Sequence, residues 1–135
     1  MRGTNFRAMI RSMTESDTSL DELRVLVVDD NSVNRKLASV VVERGGHEAV
    51  QAADGAQAVE AVEREAFDVI LMDVQMPVMD GFEATRKIRE WEQSHGLPAT
   101  PIVALTAHIL KEHRDRSFAA GMNAHLPKPV ELNTL

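Results

Sequence analysis

The sequence predicts an α/β fold in which five parallel strands form a doubly wound sheet. Three observations predict it. Five short apolar runs alternate with helix-length amphipathic stretches along the 135 residues, and that alternation marks a parallel sheet with helices on both faces. The third run, residues 69–72, is apolar without alternation, which suits a strand buried on both sides. Glycine punctuates the expected helix boundaries at Gly45-Gly46, Asp54-Gly55, Asp80-Gly81 and Gly121.

Residues 1–22 stand apart as an N-terminal amphipathic helix and linker. Phe6, Met9, Ile10 and Met13 recur at one helical face, Arg7 and Arg11 lie off it, and the polar residues 14–22 follow as a linker. Residues 23–28 form the first strand, apolar apart from Arg24 and ending in Asp29-Asp30. Asn31 or Ser32 caps the next helix, whose buried stripe is expected to be Val33, Leu37, Val40 and Val41. Residues 47–53 read as a shorter second strand. Asp54 and Gln57 then have the spacing of a capping box, and Ala58, Val59 and Val62 should face inward. The third strand stops at Asp73. A Pro-containing loop and Asp80-Gly81 lead into a helix over 81–93, with Ala84, Ile88 and Trp91 on one stripe. Residues 101–105 form the fourth strand, ending at Thr106-Ala107. The polar helix over 108–120 has Leu110 and Phe118 as its expected anchors. A brief fifth strand, 124–126, leads to Pro127-Lys128-Pro129, and a last helix begins near Val130 and is short where the sequence ends.

Composition excludes several function classes. The 44% hydrophobic and 27% charged content is ordinary for a soluble domain with one core. A net charge of -6 without a basic patch argues against nucleic acid as a partner. The absence of cysteine excludes disulfides and thiolate metal sites. No apolar stretch is long enough to insert in a membrane, and Arg7 and Arg11 interrupt any signal-peptide core. A cytoplasmic location is the expectation.

In open α/β sheets, sites lie beyond the carboxyl ends of the strands. Those ends carry Asp29 and Asp30, Asp73, Thr106 and Lys128. Three neighbouring carboxylates repel one another, and a hard divalent cation with oxygen ligands offsets that repulsion. Mg²⁺ suits the set, because it takes one or two carboxylates, waters and phosphate oxygens. Lys128 adds a mobile positive charge and Thr106 a hydroxyl donor. A metal, an ammonium and a hydroxyl around one carboxylate are what a phosphoryl group needs, and the carboxylate itself can be the nucleophile. Each residue alone is commonplace; all five at successive strand ends are not.

The motifs Val27-Val28-Asp29-Asp30-Asn31, Leu71-Met72-Asp73-Val74-Gln75-Met76-Pro77, Met79-Asp80-Gly81, Ala104-Leu105-Thr106-Ala107 and Leu126-Pro127-Lys128-Pro129 closely resemble the receiver domain of two-component response regulators. Residues 31–34 and 121–125 are most similar to receivers of hybrid histidine kinases. The resemblance covers residues 23–135. It implies the flavodoxin-like strand order 2-1-3-4-5; receivers are a standard example of that order, so it follows from the family and not from the residues. It also implies a phosphorelay receiver that takes a phosphoryl group from a phosphohistidine onto Asp73. Asp30, Asp73 and the backbone carbonyl of Gln75 would bind Mg²⁺ directly, with Asp29 acting through water. Thr106 and Lys128 would grip the phosphoryl oxygens, and the Lys128-Pro129 bond would be cis. The implied partners are a histidine kinase or a histidine phosphotransfer domain, and a homodimer is left open. The domain would not be an enzyme in the usual sense, although it would phosphorylate and dephosphorylate itself.

Two features depart from the common receiver pattern. His125 stands where many receivers carry Tyr or Phe as a switch, and the last helix is short. His108 and Gln75 occupy positions that influence how water reaches the phosphoryl group. His47, His95 and His113 read as solvated, and Met72, Met76 and Met79 as packing residues. Two other function classes share parts of this pattern. An Asp-nucleophile phosphatase usually carries a second Asp two residues after the nucleophile, where this chain has Gln75. A degenerate receiver used only for binding would not need all five site residues.

Overall fold

The computed structural model describes residues 22–74, 76, 79–106 and 111–127. The expected N-terminal helix, Gln75, His108, Leu110, Lys128 and the helix after Val130 lie outside these residues, as does the side chain of His113.

The described elements alternate strictly. They are β1 (Arg24–Val28), α1 (Ser32–Arg44), β2 (Glu48–Ala52), α2 (Gly55–Arg64), β3 (Val69–Asp73), α3 (Gly81–Ser94), β4 (Ile102–Thr106), α4 (Lys111–Ala120) and β5 (Ala124–Pro127). The strands pair in parallel in the order β2-β1-β3-β4-β5. Every residue of β3 and β4 is buried, as their unalternating apolar sequences require. One face of the sheet packs Leu26, Val28, Ile70, Met72, Ile102 and Ala104 against α2 and α3. The other packs Val25, Val27, Val69, Leu71, Val103, Leu105 and Leu126 in a cluster with Ala38, Val41 and Val42 of α1.

Side chains fix the helix starts. Asn31 accepts a hydrogen bond from Asn34 N at 2.9 Å, and Asp80 one from Glu83 N at 2.9 Å. At α2, Asp54 accepts from Gln57 N at 2.8 Å, while Gln57 Oε1 accepts from Ala53 N at 2.9 Å. The two side chains thus satisfy donors reciprocally, one residue earlier than in the usual capping box. Met72 and Met76 are buried in the apolar cluster, and Met79 packs against it.

Three expectations need correction. The buried face of α1 is Ala38, Ser39, Val41 and Val42; Val33 is 72% exposed and Leu37 38%. Small Ala38 and Ser39 allow close approach to the sheet, and Ser39 Oγ donates to Arg35 O at 2.8 Å, so its hydroxyl is satisfied. His47 is not solvated. It is buried, and its Nδ1 accepts a hydrogen bond from Leu23 N at 3.0 Å, tying the entry to β1 to the edge of β2. Phe118 is no anchor for α4: it is 51% exposed and meets His125 edge to face, with ring centroids 5.0 Å apart. Ser117 and Ala120 are buried instead, and Arg116 stacks over Phe82 of α3 at 4.3 Å. In addition, α3 buries a charge. Glu92 is 3% exposed and accepts from Arg89 at 2.9 Å and from Thr100 N at 2.9 Å. Arg89 also donates to Thr100 O, Gly121 O and Asn123 Oδ1, each at 2.8 Å. Asn123 Oδ1 in turn accepts from Ile102 N at 2.8 Å. A buried ion pair is tolerable only with this degree of hydrogen bonding. It ties α3 to the starts of β4 and β5, at the end of the sheet away from the strands' carboxyl ends.

Candidate functional site

The site is built by strand register. Val28 on β1 lies beside Met72 on β3, so the next residues, Asp29 and Asp73, end adjacent strands. Asp73 pairs with Leu105, which sets Thr106 one step further along β4, next to Pro127 on β5. Asp29 and Asp73 are each 1% exposed and Thr106 is 5% exposed, whereas Asp30 is exposed. Carboxylate oxygens of Asp29, Asp30 and Asp73 all lie within 4.8 Å of one another.

Three like charges at that separation, two of them buried, repel strongly unless a cation lies among them. Oxygen-only donors select a hard ion, so the residues fit Mg²⁺. The surrounding backbone holds the cluster in place. Asn31 N donates to Asp29 Oδ1 at 2.9 Å, and Arg35 donates to Asp29 O at 2.8 Å. Arg35 also reaches Gln51 Oε1 on β2 at 3.1 Å. Sequence reasoning missed Arg35; its place about one turn into the helix after Asp29 was the available signal.

Behind Asp73 the backbone is crowded. A Cβ on Gly81 would fall 2.3 Å from Asp73 O and 2.9 Å from Val74 Cα. Gly81 N donates to Val74 O at 3.3 Å, closing the loop back onto the strand end. Gly81→Ala must therefore push the backbone of Asp73. Overpacking of this kind costs about 1–3 kcal/mol, which for a domain of this size lowers Tm by roughly 5–15 °C. A thermal melt is expected to show that loss. An unchanged melt would contradict the contact.

The register thus brings together Asp29, Asp30, Asp73 and Thr106 of the expected residues. Gln75, His108 and Lys128 lie outside the described residues. His125 lies one strand from the pocket, paired with Ala104, and is half-buried.

The described residues thus form a doubly wound sheet whose carboxyl edge carries an acidic cluster beside a hydroxyl. Residues 25–135 match the family model of the response regulator receiver domain, and the chain belongs to that family: it is a phosphorelay receiver of two-component signal transduction. The sensor protein GacS of Pseudomonas syringae pv. syringae is 48% identical over 107 residues, which cover 79% of this chain and 12% of that protein. The chain spans about an eighth of the length of such curated relatives. Among solved structures, the receiver domain of the histidine kinase CKI1 from Arabidopsis thaliana, complexed with Mg²⁺, is 41% identical with a TM-score of 0.72, over 78% of this chain and 83% of that one. A co-crystal of the Saccharomyces cerevisiae histidine phosphotransfer protein Ypd1 with the receiver domain of Ssk1 matches with a TM-score of 0.79 and 29% identity, over 86% of this chain and 85% of that one. No helix among the described residues is long and apolar enough to cross a membrane.

Proposed function

We propose that Asp73 is the phosphoacceptor of this receiver. The observation that carries this reading is the gathering of three carboxylates within 4.8 Å at adjoining strand ends. Among them Asp73 is the best placed to react. Asp30 is exposed, whereas Asp73 is buried. Asp73 ends the central strand, between the acidic end of β1 and the Thr106 end of β4. In the transfer, a carboxylate oxygen of Asp73 forms a bond to phosphorus as the P–N bond of a phosphohistidine breaks. The imidazole leaves with the electrons of that bond and takes a proton from solvent. Thr106 and Lys128 hold the phosphoryl oxygens. Asp30, Asp73 and the Gln75 carbonyl would hold Mg²⁺, with Asp29 acting through water. When bound, the ion neutralises charge on the transferring group. The same residues support self-phosphorylation from small donors and slow hydrolysis of the acyl phosphate, with His108 and Gln75 bordering the path of water.

The donor is a histidine kinase or histidine phosphotransfer domain. Val33 and Leu37 on α1 support this, because their apolar side chains stand exposed just after Asp29 and Asp30, where a partner helix could cover them as it brings its histidine to Asp73. His125, meeting Phe118 on the outer side of β5, is the proposed route by which a change at Thr106 reaches the surface. The domain division, residues 1–22 preceding a receiver at 23–135, remains part of this proposal.

Labelling by a phosphorylated histidine phosphotransfer protein and by a small acyl phosphate donor, both with Mg²⁺, tests the reading. Leu37→Asp with Val33→Asp is expected to slow transfer from the protein donor about tenfold or more, since interface anchors are worth upwards of about 1–2 kcal/mol, and to leave the small donor's rate unchanged. Equal rates from both donors in that variant would remove α1 from the partner surface.

A further inference from the structure

We propose that Arg35 is a positioning residue of the cation site: it fixes the peptide plane from which Asp30 presents its carboxylate, and so sets the affinity for Mg²⁺. This role presupposes that Asp29, Asp30 and Asp73 gather Mg²⁺, as proposed for this receiver. Asp30 needs such a support. A carboxylate oxygen of Asp30 lies within 4.8 Å of those of Asp29 and Asp73, yet the residue is exposed, so packing does not hold it there. Its backbone must. The carbonyl of Asp29 and the N–H of Asp30 share one rigid peptide plane. A donor that fixes Asp29 O therefore fixes the plane from which Asp30 hangs.

Strand pairing does not supply that donor. Asp29 N donates to Ala52 O at 3.2 Å, so Asp29 turns its N–H, and with it its carbonyl, toward β2. The parallel ladder would next draw a donor from residue 54. But β2 ends at Ala52, and Asp54 instead opens α2 as its cap. Arg35 takes the vacant place from α1. Its Nη1 donates to Asp29 O at 2.8 Å, and its Nε donates to Gln51 Oε1 at 3.1 Å. The planar fork thus ties the end of β1 to the edge strand. Its contribution is geometry and not charge. A guanidinium this near an acidic cluster repels a second cation, so charge alone would weaken Mg²⁺ binding. Lysine keeps the charge but has no rigid fork to hold two acceptors at once.

Calorimetric titration of Mg²⁺, with metal-free melts and amide exchange, separates these roles. Arg35→Lys should weaken Mg²⁺ about tenfold, the scale of losing an outer partner at a metal site. Arg35→Ala should weaken it by no more than that, because the repulsion goes with the fork. Exchange of the Asn31 N–H, which Asp29 Oδ1 accepts, should speed in both without metal. Gln51→Leu should weaken Mg²⁺ less than Arg35→Lys does, and add nothing to it in the double variant. Gln51→Glu keeps the acceptor and should retain the parental affinity or better. Val42→Ala loosens the buried face of the same helix and should lower Tm without moving Mg²⁺ affinity. Parental affinity in Arg35→Lys with tighter binding in Arg35→Ala would show a purely electrostatic role and overturn the proposal. So would a loss of affinity in Val42→Ala as large as that in Arg35→Lys. Asp30→Ala is titrated beside them. If it also retains parental affinity, the carboxylate cluster is not the Mg²⁺ site; if it loses Mg²⁺ while Arg35→Lys does not, only the role of Arg35 falls.

Discussion

Asp73→Asn is expected to keep the fold and abolish phosphoryl transfer. The substitution is nearly isosteric, and the side chain it replaces is buried to 1% exposure at the end of β3. It also removes one of three negative charges clustered within 4.8 Å. Less like-charge repulsion means that, without added metal, the variant should melt at the same temperature as the parent or higher. The amide cannot form the acyl phosphate, and neither neighbour is placed to replace it: Asp29 is engaged by Asn31 N, and Asp30 is exposed. Base-labile label from a phosphohistidine donor should therefore fall at least about 100-fold, the scale of losing a nucleophile. A melt measured beside the labelling separates lost chemistry from lost structure. Full labelling of a folded Asp73→Asn chain would sink the assignment.

Metal binding should divide Asp30 from Asp29. On the proposed ligand set Asp30→Ala removes a direct ligand and is expected to weaken Mg²⁺ by upwards of about 100-fold. Asp29→Ala, acting through water, should weaken it by about 10-fold, the lower end for outer partners of a metal site. The two differ in a second way. Asp29 is buried and accepts the Asn31 N–H, so its loss should also cost about 1 kcal/mol of metal-free stability. Asp30 is exposed, and its removal should leave the metal-free melt unchanged or raise it. Mg²⁺ at 100 times its Kd should stabilise the parent by about 2.7 kcal/mol, an effect that chelation reverses. Titrations and melts with and without a chelator check all of this. Parental Mg²⁺ affinity in Asp30→Ala would remove that carboxylate from the site.

The strands, the caps at Asn31, Asp54 and Asp80, and the acidic strand ends were legible because each is a local signal. An apolar run, an Asx residue before a helix, or a carboxylate where a buried run stops needs no knowledge of the remaining fold. What stayed hidden depended on distant parts of the chain. The periodicity of α1 fits Val33 and Leu37 as well as it fits Ala38 and Val42, and only the close approach to β1 and β2 decides between them. His47 looked solvated because its donor, Leu23 N, lies 24 residues away. The burial of Glu92 carries no local signal, since its partners beyond Arg89 are backbone groups around Thr100. Phe118 is one of few large apolar residues on a polar helix, yet that helix buries Ser117 and Ala120 instead.

The Arg89 cluster has a mechanical consequence. It bolts the first residues of β4 and β5, through Ile102 and Asn123, to the middle of α3. Thr106 and His125 therefore stand only a few residues from a fixed foot. Five residues of β4 span about 16 Å, and a strand fastened at one end cannot slide in its register. The opposite end of β4 is held only by its neighbours in the sheet, where Leu105 pairs with Asp73 and Thr106 with Pro127. A shift of Thr106 is thus resisted at the foot by side chains and at the tip by strand pairing alone.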